Sequence, residues 1–488
     1  MAIISISKTK SFLFDHQTVK QTIFKNTFWL GLAEGISRLA TFALFIFVAR
    51  ILGATEYGKF SFVLAVVGLL LLLPGFVSSE IITREFSKDK EKEKEFSSLF
   101  TLKLLFGLAS ILFLFGISFF VTADAIIRKV IWIMSAYWIL NSLVDIVYAF
   151  FRARQRMEYE SFFKIFDALL TTGFGLFVIF KFPSIENLSY AYLLEGLVLC
   201  GVILLFFHFK IRKMSFGFNK KIWKKILSLS WPMALIGLTA GIYSQIDTVM
   251  MGFFNQITET GWYNASFKIT RMALVPVALI SQSFYPVLSK FFQESKDKLQ
   301  EAWTFQAKIM IWLAFPLMAG GVVLAPRIID FLYGRSYLPA IMSFQMLIIM
   351  TGVMFLYDTF RQVLIVSNQQ KKVFWAILAG AIVNIALNLI LIPRFSLNGA
   401  ALATLFTNIL IFFLFLKFIL KYTEIKPFNQ EILRETISAL AACVIMYLII
   451  SRAFVYSLPV VFSILIGIAT YFIALFIPKK ICQIIKKR

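Results

Sequence analysis

Glu34 and Arg38, Lys268 and Arg271, and Asp358 and Arg361 stand out as charges inside otherwise apolar stretches, together with Asp145, Asp167, Glu195 and Asp247. A charge at the centre of a lipid-spanning helix costs about 2.5–3.5 kcal/mol on the insertion scale, so it faces a watery cavity or a partner. The first pair is spaced i,i+4 and the other two i,i+3, which puts each pair on one helix face. Arg38, Lys268 and Arg271, with Glu34 beside the first, would make a cationic patch that grips a pyrophosphate, because the guanidinium fork meets phosphate oxygens two at a time. Glu34 and Arg38 read equally as a self-neutralising pair that locks helices together. Asp145, Asp167 and Asp247 are candidates to bind a coupling cation or to hydrogen-bond between helices. Glu195 reads as structural, and Arg361 as a side chain snorkelling from a helix end.

These residues need helices in lipid to position them. The 488-residue chain is 59% hydrophobic and only 15% charged, against about 45–50% and 25% in soluble domains. In hydrocarbon every backbone N–H and C=O needs an internal partner, which leaves helix bundles or closed barrels. Barrel strands alternate polar and apolar over about ten residues. The runs here are continuous and about twenty long, as spanning helices are. The fold class expected is an all-α membrane protein. Spans fall near 26–50, 60–82, 98–121, 129–151, 161–181, 189–209, 227–254, 263–289, 303–325, 339–362, 373–393, 399–420, 433–453 and 459–477, about fourteen in all. The long seventh, carrying Pro232, Gly237 and Gly241, should kink or tilt.

The net charge of +23 is a matter of topology. Lys and Arg gather after even-numbered spans and at the termini: Lys88 to Lys94, Arg152 to Arg156, Lys210 to Lys225 and Lys479 to Arg488. The stretch Asn255–Trp262 has none. The positive-inside rule then puts both termini in the cytoplasm, which an even span count allows. With no basic stripe outside those loops, nucleic acid is not an expected partner. The sign-alternating run Lys88–Glu95 reads as a solvated loop. Cys200, Cys443 and Cys482 form no CxxC, and His16 and His208 are far apart, so neither a metal nor a cofactor is expected. The polar lead through about Lys25 lacks the pattern of a cleaved signal peptide.

An internal repeat is visible. Gly53-Ala-Thr-Glu-Tyr-Gly-Lys-Phe60 follows the first span and Thr258-Glu-Thr-Gly-Trp-Tyr263 the seventh, each with Glu two residues before Gly and an aromatic two after it. The offset is about 203 residues, which fits six spans and their loops. Two parallel copies result, 1–225 and 226–425, followed by 426–488 with spans 13 and 14. Transporters often place their site at such a repeat interface.

Several landmarks, in order, resemble the polysaccharide exporters and O-antigen flippases of the multidrug/oligosaccharidyl-lipid/polysaccharide exporter superfamily. They are Ala49-Arg-Ile-Leu-Gly-Ala-Thr-Glu-Tyr-Gly58, Ile246-Asp247 with Gly261-Trp-Tyr-Asn-Ala265, Phe284-Tyr-Pro-Val-Leu-Ser289, Leu332-Tyr-Gly-Arg-Ser-Tyr-Leu-Pro-Ala340, and Asn384 through Pro393 with Asn398-Gly-Ala-Ala-Leu-Ala-Thr404. The resemblance implies two six-helix lobes around a central cavity, with spans 13 and 14 as an extra pair. Related flippases for lipid-linked precursors have cavity arginines on their first and eighth spans, where Arg38 and Arg271 lie. Independently of family, Gly53, Gly58 and Gly261 suit tight turns. Gly399, Ala400, Ala401 and Ala403 suit close helix approach, and Asn384 and Asn388 suit bonds to a neighbour. Pro74, Pro276, Pro286 and Pro316 can bend helices.

The resemblance implies a flippase rather than an enzyme. It would carry a polyprenyl-pyrophosphate oligosaccharide across the cytoplasmic (inner) membrane by alternating access. Membrane lipids, a monovalent coupling cation and polysaccharide assembly machinery are the partners to look for. Each sugar hydroxyl left unpaired in hydrocarbon costs about 4–8 kcal/mol, so unaided crossing is negligible. A drug or metabolite antiporter of the same fold should carry acidic and aromatic cavity residues. A non-transport scaffold would tolerate loss of the cavity charges. A membrane glycosyltransferase would need loops with paired carboxylates, and the loops here are short.

Overall fold

The computed structural model describes residues 19–70, 73–88, 95–452 and 457–486. His16, the polar lead before residue 19, positions 89–94 of the basic–acidic run, Lys487, Arg488 and the side chain of Cys482 lie outside the described residues. Within them the chain is all helical. In order come α1 (Val19–Leu70), a 3₁₀ turn (Leu73–Phe76), α2 (Ser79–Lys88), α3 (Phe96–Val121), α4 (Ala125–Ala153), α5 (Met157–Lys181), α6 (Ile185–Phe206) and α7 (Lys220–Phe253). Next come α8 (Ile257–Ala273), α9 (Val275–Glu294), α10 (Lys296–Tyr333), α11 (Ile341–Val366), α12 (Gln370–Tyr422), α13 (Gln430–Ile450) and α14 (Val460–Lys486). Among the described residues, twelve helical stretches are long and apolar enough to cross a membrane. Two of them fold back within themselves: α1 breaks at Gly53 (φ 76°) and α12 at Ser396 (φ 54°). That makes fourteen limbs, the expected number. Gly53 holds a backbone angle that only glycine adopts without strain, in keeping with the turn read from its motif.

The chain forms two compact units, Met1–Val249 and Met250–Arg488. In the first, α1 packs on α5, and α4 on α6, α3 and α2. Its core is aromatic: Phe207 stacks on Phe96 with ring centres 4.6 Å apart and meets Phe150 edge-on at 5.0 Å. Ile81, Ile82 and Phe86 of α2 are buried in this cluster. The expected second span, 60–82, is not one helix. It stops at Leu70, turns through Leu73–Phe76 and restarts at Ser79. Proline supplies no N–H and cannot continue the ladder, and Pro74 lies in that turn. The restart is capped by Ser78, whose Oγ accepts from the Ile81 N–H at 3.4 Å.

In the second unit α10, α11 and α12 pack side by side, with α9 against α10 and α11. The α8–α9 stretch is interrupted in a similar way at Leu274, with Pro276 in the first turn of α9. The pair α13–α14 packs on α10 through Ala439, Ala442, Met446 and Tyr471. Polar bonds fix its register: Trp312 Nε1 donates to Glu435 Oε2 at 2.9 Å, Lys308 pairs with Glu431, and Arg327 Nη1 donates to Ser463 Oγ at 2.8 Å.

The two limbs of α12 meet closely because Gly399, Ala400, Ala401 and Ala403 present so little side chain, and all four are buried. A Cβ on Gly399 would run into the backbone carbonyl of Leu391. Backbone cannot yield as a rotamer can, so Gly399→Ala should lose roughly 1–3 kcal/mol, outweighing alanine's helix preference of about 0.5–1 kcal/mol. A lower thermal midpoint in detergent is expected for Gly399→Ala. Gly201→Ala, with nothing within 4 Å of the added Cβ, should melt at or above the parent temperature.

Candidate functional site

The break after Pro74 has a chemical consequence. Ser79, the first residue of α2, donates its hydroxyl to Asp145 Oδ2 on α4. Lys103 on α3 completes the group, its Nζ 3.3 Å from Asp145 Oδ2 and 3.4 Å from Ser79 Oγ. The lysine side chain is only 3% exposed, whereas the aspartate keeps 42% of its surface open. On its other oxygen Asp145 faces Arg152 Nη2 at 3.7 Å. Arg152 in turn forks onto the buried Glu160 of α5, Nε to Oε2 at 2.9 Å and Nη2 to Oε1 at 2.8 Å. Lys164 Nζ closes the chain at 3.0 Å from Glu160 Oε1. Three cations and two carboxylates thus alternate across α3, α4 and α5, so each buried charge has an opposite neighbour. Unpaired, any one of them would bear a heavy desolvation cost.

The open side of Asp145 looks into a cavity of about 580 Å³ within the first unit. Its walls come from the end of α1, the proline turn, the start of α2, α4 and α7, with Trp138, Asn141, Ser79 and Glu80 among the lining side chains. Gly237 and Gly241 of α7 also line it. The breakers noted in the seventh span therefore open space here, while Pro232 lies within a continuous helix.

A parallel arrangement stands in the second unit. Ser281 of α9, after the Pro276 break, donates to Asp358 Oδ2 on α11. Arg361 binds the same carboxylate, Nε to Oδ1 at 2.7 Å. Where the first unit has Lys103, the residue 203 positions on is Gln306, whose amide donates to Gln362 Oε1 at 2.6 Å. Gln362 in turn donates to the Ser281 carbonyl at 2.5 Å. The serine–aspartate bond is common to both units; the buried lysine belongs to the first alone.

The other residues singled out from the sequence are spread over several helices. Glu34 and Arg38 form an ion pair, Nε to Oε1 at 2.7 Å, with about half of each side chain exposed. Arg271 lies at the end of α8 with its guanidinium 5.2 Å from the centre of the Phe267 ring, and Lys268, half-buried, is one turn before it. Asp167 of α5 accepts from Thr171 Oγ1 at 3.4 Å and lies beside the fully buried Glu195 of α6. Asp247 is buried in α7. Asn388 Nδ2 donates to Asn384 Oδ1 at 3.1 Å, and Asn384 Nδ2 to Thr404 Oγ1 at 3.4 Å, which ties the limbs of α12 together. Asp145 is thus distinguished among the candidate carboxylates by the buried lysine against it. Lys103 and Ser79 were not legible as site residues; the available signals were a lone lysine between Leu102 and Leu104 and the repeat offset joining Lys103 to Gln306 and Ser79 to the neighbourhood of Ser281.

A family profile described as polysaccharide biosynthesis protein matches residues 23–292, more than half of the chain. The chain belongs to this family. The resemblance drawn from the glycine, proline and asparagine landmarks is borne out, and with it the placement among the polysaccharide exporters. Among relatives, a protein named probable flippase AglR from Haloferax volcanii is 25% identical over 87% of this chain and 90% of its own length. Among solved structures, the lipid II flippase MurJ in an inward closed conformation aligns with TM-score 0.75, 19% identity, and coverage of 91% of this chain and 97% of its own. A multidrug-resistance transporter of the MATE family, inward-facing, aligns at TM-score 0.65 and 14% identity over 79% and 94%. At those identities the structures establish the fold of a polytopic membrane protein and leave its cargo open.

Breaking the Lys103–Asp145 pair from one side should be costly, since it leaves an uncompensated charge; fully buried pairs lose roughly 3–5 kcal/mol, and the open face of Asp145 brings the expected loss below that. Lys103→Met and Asp145→Asn should each lower the melting temperature in detergent. The double variant should recover much of the loss. Independent, additive losses would mean that the two groups do not form one unit.

Proposed function

We propose that this protein moves a polyprenyl-pyrophosphate-linked oligosaccharide from the cytoplasmic to the outer leaflet of the cytoplasmic membrane, by alternating access and without catalysis. In this reading both termini are cytoplasmic, 1–225 and 226–425 are the two moving halves, and 426–488 is an accessory helix pair. The observation that carries it is the Asp145 cavity. It is a space with a charge-compensated polar wall at Asp145, Ser79 and Asn141, set among helices most of which are long and apolar enough to span lipid. A sugar headgroup entering such a space keeps its hydrogen bonds, whereas in hydrocarbon it loses about 4–8 kcal/mol for each unpaired hydroxyl. Family membership and the flippase among the relatives support the same reading.

Arg38, Arg271 and Lys268 are the groups we assign to the pyrophosphate, with Glu34 orienting Arg38. The open half of the Arg38 pair and the helix-end position of Arg271 suit that task. Asp145 is engaged by Lys103 and Arg152, so a coupling cation would belong at Asp167 or Asp247. The cell's potential is itself a driving force: an anion leaving a negative interior gains about 2.3 kcal/mol per charge per 100 mV. In the Asp145 cavity itself a cation would meet a carboxylate already paired with Lys103 and Arg152, which disfavours cation binding there.

The test is flipping of an undecaprenyl-pyrophosphate saccharide in proteoliposomes with the potential clamped. Each of Arg38→Ala and Arg271→Ala should slow flipping roughly tenfold or more, since one charge-assisted bond is worth about 1.5–3 kcal/mol. An inside-negative potential should speed outward movement. Equal rates at both polarities would reject the potential as driver, and full activity in both variants would remove the arginines from the site.

A further inference from the structure

The Asp145 cavity has a more specific chemistry than polarity alone. Trp138, Asn141, Ser142 and Asp145 all line it, and their spacing of three, four and seven residues places them along one face of α4. The Trp138 side chain is 41% exposed although it sits among helices whose neighbouring aromatics, Tyr137 and Tyr192, pack edge-on at 5.2 Å. Facing walls contribute Gly68, Gly75, Gly237 and Gly241, and a Cβ built on any of the four would meet nothing within 4 Å. The volume, about 580 Å³, falls within the roughly 300–1,000 Å³ of small-ligand sites.

Charge decides what kind of occupant fits. Lys103 also lines the cavity, but its side chain is only 3% exposed and its ammonium is held by Asp145 and Ser79, so a group in the cavity meets mainly carboxylate oxygen. Glu80, whose Oε2 accepts from Ser78 Oγ at 2.6 Å, adds a second acceptor. A phosphate there would face carboxylates. An organic cation would face an aspartate already neutralised by Lys103 and Arg152. A neutral polyol suits both constraints: its hydroxyls donate to acceptor oxygens, and the apolar C–H face of its ring lies on an indole, which offers a flat apolar surface with one polar tip.

We propose that this cavity is a saccharide subsite, in which Trp138 stacks on the face of one sugar ring while Asn141, Ser142 and Asp145 hold its hydroxyls. The proposal rests on the flippase reading for its choice of lipid, and it separates two tasks: the sugar is recognised on α4, the pyrophosphate elsewhere. Lys103 and Ser79 are positioning residues, fixing the Asp145 carboxylate toward the cavity.

The full chain, labelled with 5-fluorotryptophan in lipid nanodiscs, gives the Trp138 ¹⁹F line by its loss in Trp138→Phe. Three probes are added in turn: undecaprenyl pyrophosphate, the same lipid carrying a disaccharide, and tetraphenylphosphonium. The Trp138 line should move with the saccharide lipid and stay still with the other two. In proteoliposomes, Trp138→Ala and Asn141→Ala should slow the saccharide lipid by about tenfold or more, as loss of an anchor residue does. They should leave the bare lipid pyrophosphate unchanged, and Trp138→Phe should restore part of the rate. A line moved by tetraphenylphosphonium alone, or equal slowing of both lipids, would overturn the subsite. If the parent flips neither lipid, the flippase reading falls, yet a shift with the saccharide lipid alone still upholds the subsite and its absence overturns it.

Discussion

A polar group carried into hydrocarbon must bring its partner with it, and this structure is arranged around that constraint. The backbone meets it by helix in every long apolar stretch of the described residues. Side chains meet it by pairing across helices: Lys103 with Asp145, Arg152 with Glu160, Trp312 with Glu435, Ser281 with Asp358. Each of these bonds joins or stiffens elements that apolar contact alone would let slide, since lipid tails are as greasy as the side chains and give little drive for one helix to seek another.

Where a helix must break, the same constraint selects the residues that restart it. Pro74 ends the second limb of α1, and the chain resumes as α2 with serines that cap the new helix and bond to α4. Pro276 marks the corresponding break, with Ser281 beyond it bonded to Asp358. The break, the serine and the aspartate thus recur in both units. The two differ in that Lys103 bonds Asp145 in the first, whereas Gln306 bonds Gln362 in the second. In the second unit two glutamine amides bond beside the Asp358–Arg361 pair, while the first keeps a buried lysine beside an open cavity.

The placement of function proposed above rests on this asymmetry. A buried amide pair that ties α9, α10 and α11 together is a brace. A charged pair with one partner buried and the other part-open to a cavity holds a polar surface in place for something to bind. Glycines on α1 and α7 keep that space wide, so the room for a ligand and the polar wall arise from different helices.

Composition, the length of the apolar runs and the lysine–arginine asymmetry were enough to give an all-helical membrane protein of about fourteen limbs, because lipid thickness and backbone satisfaction leave few alternatives. The turn at Gly53 and the close approach at Gly399 were legible too, since glycine alone adopts that φ without strain and leaves room for a backbone contact so close; Gly58 and Gly261, also read as turn residues, lie inside helices. What the sequence could not decide was which charges meet. Lys103 and Asp145 lie 42 residues apart and Ser79 and Asp145 66; no local periodicity reports a contact between helices. Arg152 looked like one more basic loop residue until α5 brought Glu160 against it. Helix positions are local consequences of hydropathy, whereas pairing depends on how each helix is rotated about its own axis, and only the packed bundle fixes that angle.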